Sequence, residues 1–152
     1  MDDPARTLAP PFRPALRGLL AVTLVVVAAL ILAPVGAGWS WGSPVTELRW
    51  YLTGLESAAT RLQLAGNLGL LVVPACLAVL LWPPLRRLHV LAGVALAAGV
   101  TIELLQWVLP LGRVVSPLDA ALNAAGAVVG GLLARGVATV ADLAPKGHEL
   151  PS

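Results

Sequence analysis

Four long apolar runs leave this 152-residue chain few folds to choose from. Each approaches the roughly 20 residues a helix needs to cross a hydrocarbon core of about 30 Å. Inside lipid every backbone amide and carbonyl must be satisfied within its own segment, so such runs become helices. The runs predict spans at residues 17–34, 63–82, 88–109 and 118–137. Only 12% of the residues are charged and 58% are hydrophobic, about half the charged share of a soluble domain. No stretch is left for a separate soluble domain. The expected architecture is all-α, a polytopic membrane bundle of four transmembrane helices over residues 16–141, with flexible tails at 1–15 and 142–152.

Local chemistry marks the breaks. Trp82-Pro83-Pro84 stops the second run, because proline lacks the amide donor and clashes with the preceding turn. Pro110-Leu111-Gly112 and Ser116-Pro117 bracket the turn before the fourth run, where Ser116 is a candidate cap with Pro117 at the first helical position. Pro74 predicts a kink in the second span. The first run has a basic flank in Arg6, Arg13 and Arg17, but its apolar core exceeds the 7–15 residues of a signal peptide. It reads as a retained anchor.

Charge asymmetry sets an orientation. With the N-terminus in the cytoplasm, Arg6, Arg13, Arg17, Arg86, Arg87, Arg135 and Lys146 lie inside, leaving Arg49, Arg61 and Arg113 outside. Both tails are then cytoplasmic. The loop over residues 35–62, holding Trp39, Trp41, Trp50 and Tyr51, is expected along the outer interface. The net charge of +2 is too small and too scattered for nucleic-acid binding. One cysteine, Cys76, stands within an apolar run and reads as packing; no Cys or His cluster suggests a metal, and no cofactor is expected.

Against this background the buried polar residues carry the functional information, since a charge at bilayer depth is costly and usually marks a site. On the expected topology Asn67, Glu103, Gln106, Asp119 and Asn123 all fall near the outer ends of their spans, with Arg113 in the turn between the last two. Asp119, Asn123, Gly126 and Gly130 share one helical stripe. Gly126 and Gly130 form a small-xxx-small pair that admits a neighbouring backbone. Ala92, Leu96, Gly99, Glu103 and Gln106 are expected on one face of the third helix, and Gln63, Asn67, Pro74 and Ala78 on one face of the second.

Several chemistries are open to this set. Arg113 can pair with Glu103 or Asp119, or present its guanidinium to a phosphate. Two carboxyls can act as acid and base, or hold a divalent cation through oxygen. The whole set can also be a hydrogen-bonded network that fixes helix register. A histidine-activated serine is unsupported, because His89 and His148 lie elsewhere.

The run Ile102-Glu103-Leu104-Leu105-Gln106, the Gly112-Arg113 turn, and Asp119-Ala120-Ala121-Leu122-Asn123-Ala124-Ala125-Gly126 resemble the VanZ-like family of membrane proteins. In that family a Glu-x-x-Gln helix end, an arginine turn and an Asp-x-x-x-Asn-x-x-Gly helix start follow in this order. Asn67 and Pro74 are similar to its upstream element, with Leu71 in place of a common aromatic and no glycine after the proline. The resemblance covers residues 61–133. It implies the bacterial cell envelope, and a link to resistance against the lipid-tailed glycopeptide antibiotic teicoplanin.

Three functions follow as expectations. The first is an inner-membrane protein that binds a lipid-linked or amphiphilic envelope molecule, through Glu103, Gln106, Arg113, Asp119, Asn123 and Asn67. The second is a membrane enzyme acting on a lipid headgroup or polyprenyl phosphate. The third is a structural or partner-binding subunit, for which the small-residue stripes permit a homo-oligomer.

Overall fold

The computed structural model describes residues 12–143, with side chains through residue 139. Residues 1–11 and 144–152, which hold most of the two expected tails, lie outside it. Four spans are long and apolar enough to cross a membrane. The first is helix α1 (Phe12–Leu32). It starts inside the expected N-terminal tail, because Pro14 sits in the first turn, where a missing amide is harmless. It ends at Leu32 rather than Pro34, since the residue before a proline is pushed out of helical geometry.

The second span runs from Ala58 to Leu81 and begins five residues before the expected start at residue 63. Its first turns carry Thr60, Arg61 and Gln63, so hydropathy alone misses them. It is broken into α3 (Ala58–Leu70) and α4 (Val72–Leu81) at Leu71, whose ψ is 2°. Pro74 supplies the cause: it has no amide to offer the Leu70 carbonyl four residues back. A 3-10 turn over Pro83–Arg86 leads to α5 (Leu88–Val108), and the chain ends in α6 (Pro117–Leu143).

Helix α6 is the centre of the bundle and packs on α3, α4 and α5; α1 lies to one side, against α4 and α5. Glycine permits these close crossings. A Cβ on Gly99 would collide with the Ala120 carbonyl of α6, one on Gly126 with the Leu68 carbonyl of α3, and one on Gly130 with the Val72 carbonyl of α4. The expected small-xxx-small pair is therefore used within the chain. Cys76 packs beside it and donates its thiol to the Gly130 carbonyl (2.9 Å).

The face of α5 differs from the expected one in its lower half. Leu91, Ala95, Gly99, Ile102, Glu103 and Gln106 are buried, whereas Leu96 is 54% exposed and Ala92 is exposed too. Spacings of three and four share a broad stripe, and the crossing with α6 selects the i, i+4 row running back from Gly99.

Two short strands, β1 (Gly38–Trp41) and β2 (Leu111–Val115), are the only β-structure among the described residues. They pair in parallel, Gly38 with Leu111 and Trp41 with Val115. Parallel pairing needs a long crossover. Here α1 and α5 run in the same direction, so the segments leaving them emerge side by side at one end of the bundle. Gly112 adopts φ +69° and lies against the Gly36 backbone, where a side chain would collide. Helix α2 (Pro44–Thr53) then folds over this end and packs on α6 and α3. The loop expected to lie along the interface is thus an ordered cap. Trp39, Trp41 and Trp50 are exposed on it, but Tyr51 is buried at 6% exposure.

Candidate functional site

The cap end of the bundle gathers the polar residues. Helix α5 delivers Glu103 and Gln106 from its last two turns, β2 delivers Arg113, and the first two turns of α6 deliver Asp119 and Asn123. Helix α3 brings Asn67 from the opposite side. Glu103, Gln106, Asp119 and Asn123 are buried; Asn67 and Arg113 are half-buried. All six line one cleft of about 1020 Å³. Its walls are α1 and α3, which diverge here because α1 leans on α4 and α5 instead.

Helix entry builds the acidic part of the floor. Ser116 precedes α6 and accepts a hydrogen bond from the Leu118 amide through its Oγ (3.0 Å), capping the helix as its sequence suggests. Its own amide donates to Glu103 Oε2 (2.9 Å). The α6 start is therefore tied directly to the carboxyl of α5. Ser116 is fully buried and its hydroxyl donates to Glu47 of α2. It does not line the cleft.

Arg113 pairs with neither Glu103 nor Asp119. Its Nη2 donates to the Leu30 carbonyl (2.7 Å) and its Nε to the Ala33 carbonyl (3.2 Å). Gln106 Nε2 donates to the Ile31 carbonyl (3.3 Å). The last carbonyls of a helix lack intrahelical partners and carry its negative dipole end. A guanidinium and an amide satisfy three carbonyls at the end of α1, so Arg113 and Gln106 fasten one wall of the cleft.

The opposite side is fastened by residues that sequence reasoning did not place in the site. Tyr51 donates its hydroxyl to Asp119 Oδ1 (2.9 Å), and Gln63 Nε2 reaches Asp119 Oδ2 at 3.5 Å. Tyr51 was expected as an interfacial aromatic, and Glu47 was not assigned. Their spacing of four on α2 puts both on the face turned to α6, and that spacing is the available sequence signal. Gly42 makes room for the Glu47 carboxyl, which a Cβ there would strike. Burial, more than any other influence, pushes the Glu47 carboxyl up; Asp119 adds to the rise and the Ser116 hydrogen bond opposes it. Burial also pushes the Tyr51 phenol up, reinforced by the charge of Asp119. Tyr51 therefore stays a donor throughout the physiological range.

Two amides remain unsatisfied. Asn67 Nδ2, which is directed toward the oxygens of Asp119 and Tyr51 without closing a well-formed hydrogen bond to either, and Asn123 Oδ1 are buried atoms without a partner; Asn123 is only 1% exposed. Buried polar atoms are nearly always paired, and an orphan costs about 1–3 kcal/mol. The two line the same cleft, from α3 and α6. Among the described residues no three His, Cys, Asp or Glu side chains group closely enough to hold a metal ion. The site thus offers a polar floor with unused hydrogen-bonding capacity and a mouth of apolar side chains. Val26, Leu30, Leu62 and Val73 line that mouth, and all are more than half exposed.

No curated protein and no solved structure matches the chain. The family described as VanZ/LLP1 matches residues 19–139, which include all six cleft residues, the cap and most of every span. The chain belongs to the VanZ/LLP1 family.

Proposed function

We propose that this protein binds a lipid-linked or amphiphilic molecule of the bacterial envelope in the cleft between α1 and α3. One observation carries the reading: a large cleft whose walls are apolar helix faces and whose floor is acidic and amide-bearing. Ligand sites commonly measure about 300–1,000 Å³ and combine apolar walls with a few convergent polar groups. Glu103, Asp119, Asn123 and Asn67 form the floor, while Gln106 and Arg113 hold the α1 wall.

The protein resides in the bacterial inner membrane with both termini cytoplasmic. The arginine distribution supports this: Arg13, Arg86 and Arg87 cluster at the end opposite the cleft, where Arg13 Nη2 donates to the Leu81 carbonyl (3.4 Å). The polar end then faces outward, where an envelope-directed lipoglycopeptide such as teicoplanin meets the membrane.

Glu103→Gln tests the reading with little structural disturbance, since glutamine keeps an oxygen for the Ser116 amide. The variant is expected to accumulate in the membrane as wild type does, yet to change teicoplanin sensitivity. Unchanged sensitivity on deletion of the whole gene counts against the resistance role. Purified protein that retains no lipid above bulk composition counts against binding itself.

A further inference from the structure

Resting on that binding reading, the geometry points to the class of ligand: a single-leaflet lipid with a phosphate-free, hydroxyl-rich headgroup. It would enter sideways between α1 and α3 and be recognised by Asn67 and Asn123.

The cleft's length speaks for one leaflet. Its α1 wall runs from Thr23 to Ile31, about 12 Å of helix axis at 1.5 Å per residue. Half of a bilayer's hydrocarbon core is about 15 Å. Toward the opposite end of the bundle α1 closes onto α4 through Leu20, Leu77 and Leu81, so the slot ends near mid-membrane. Its open side is apolar, with Val26 and Leu30 facing Leu62 and Val73, which suits an acyl chain sliding in from the bilayer.

Hydrogen-bond satisfaction selects the headgroup. Of the buried unpaired side-chain atoms, those on residues lining the cleft are one donor, Asn67 Nδ2, and one acceptor, Asn123 Oδ1. A phosphate only accepts, so it leaves Asn123 Oδ1 unpaired and meets the carboxyls of Glu103 and Asp119. The cation that could offset this repulsion, Arg113, gives two of its donors to the Leu30 and Ala33 carbonyls. An ammonium only donates, so it leaves Asn67 Nδ2 with nothing to bond except the Asp119 and Tyr51 oxygens, to which its geometry is poor. A hydroxyl does both, and adjacent hydroxyls of a sugar or polyol bridge the two amides.

The test uses the full chain in nanodiscs containing equal amounts of monoglucosyl diacylglycerol, phosphatidylglycerol and lysyl-phosphatidylglycerol with identical acyl chains. Retained lipid is quantified by mass spectrometry. Wild type is expected to enrich the glucosyl lipid about tenfold over phosphatidylglycerol, and Asn123→Leu to bring that enrichment below about twofold. The same variant should unfold at an equal or higher temperature, because it removes an unpaired buried amide at similar volume. Asn67→Leu repeats the test from the other wall. Preferred retention of either phosphate lipid overturns the headgroup assignment and leaves lipid binding standing. Equal retention of all three overturns the assignment and the binding reading together. A marked fall in unfolding temperature in both leucine variants also overturns the assignment, since the asparagines would then serve the fold.

Discussion

Exchanging Gly126 for alanine probes the crossing on which the cleft depends. Alanine ordinarily favours a helix by about 1 kcal/mol over glycine. Gly93 of α5 has open space around it, so Gly93→Ala should show that gain alone. At Gly126 the new Cβ lands on the Leu68 carbonyl of α3. The obstructing atom belongs to a backbone and has no rotamer to move aside. The helices must part by roughly 1 Å, and overpacking of this kind costs about 1–3 kcal/mol. Taking the upper end because the obstacle is rigid, the net loss is about 2 kcal/mol, a factor of about 30 in the folded-to-unfolded ratio. The damage also reaches the cleft. Leu68 adjoins Asn67, and Asn123 stands one turn before Gly126, so separating α3 from α6 draws the two amides apart. Equilibrium unfolding in mixed micelles, followed by tryptophan fluorescence, measures the effect. Gly93→Ala should unfold at or beyond the wild-type midpoint and Gly126→Ala well before it. Coincident midpoints for the two variants would refute the close crossing.

Tyr51→Phe removes the buried donor to Asp119 and should cost about 1–3 kcal/mol, with proteolysis between α1 and α3 accelerated as α2 lifts; an unchanged cleavage rate would contradict the cap. Burial raises the Glu47 carboxyl above its ordinary 4.5, so between the two values the folded state holds more protons than the unfolded one. Stability from this group therefore falls as pH rises through that window. Glu47→Gln should flatten the decline just above pH 4.5, and thermal unfolding across pH reads it; an identical slope in the variant contradicts the assignment.

The sequence made the spans legible because each is a long apolar run, and it made the polar floor legible because charge and amide side chains are conspicuous in such runs. Glu103, Gln106, Asp119, Asn123 and Asn67 could thus be placed at one depth from helix direction alone. The cap was less legible. The β1–β2 pairing depends on α1 and α5 being parallel neighbours, a contact between residues over 70 positions apart that no local period reports. Tyr51 shares its composition with interfacial aromatics and differs only in its partner, Asp119. The role of Arg113 turned on which carbonyls lay nearby, and the end of α1 is ordered around it only in three dimensions. The start of α3 was missed because its first turns are polar, so a hydropathy window discards a helix that packing sustains.

The central claim is that α1 and α3 stand apart over a polar floor open to one leaflet. A structure determined in nanodiscs at side-chain resolution tests it most directly. The account predicts elongated density beside residues 23–31, ending in a headgroup within hydrogen-bonding distance of Asn67 and Asn123. Helices α1 and α3 in direct contact, with those two amides bonded to each other, would contradict it.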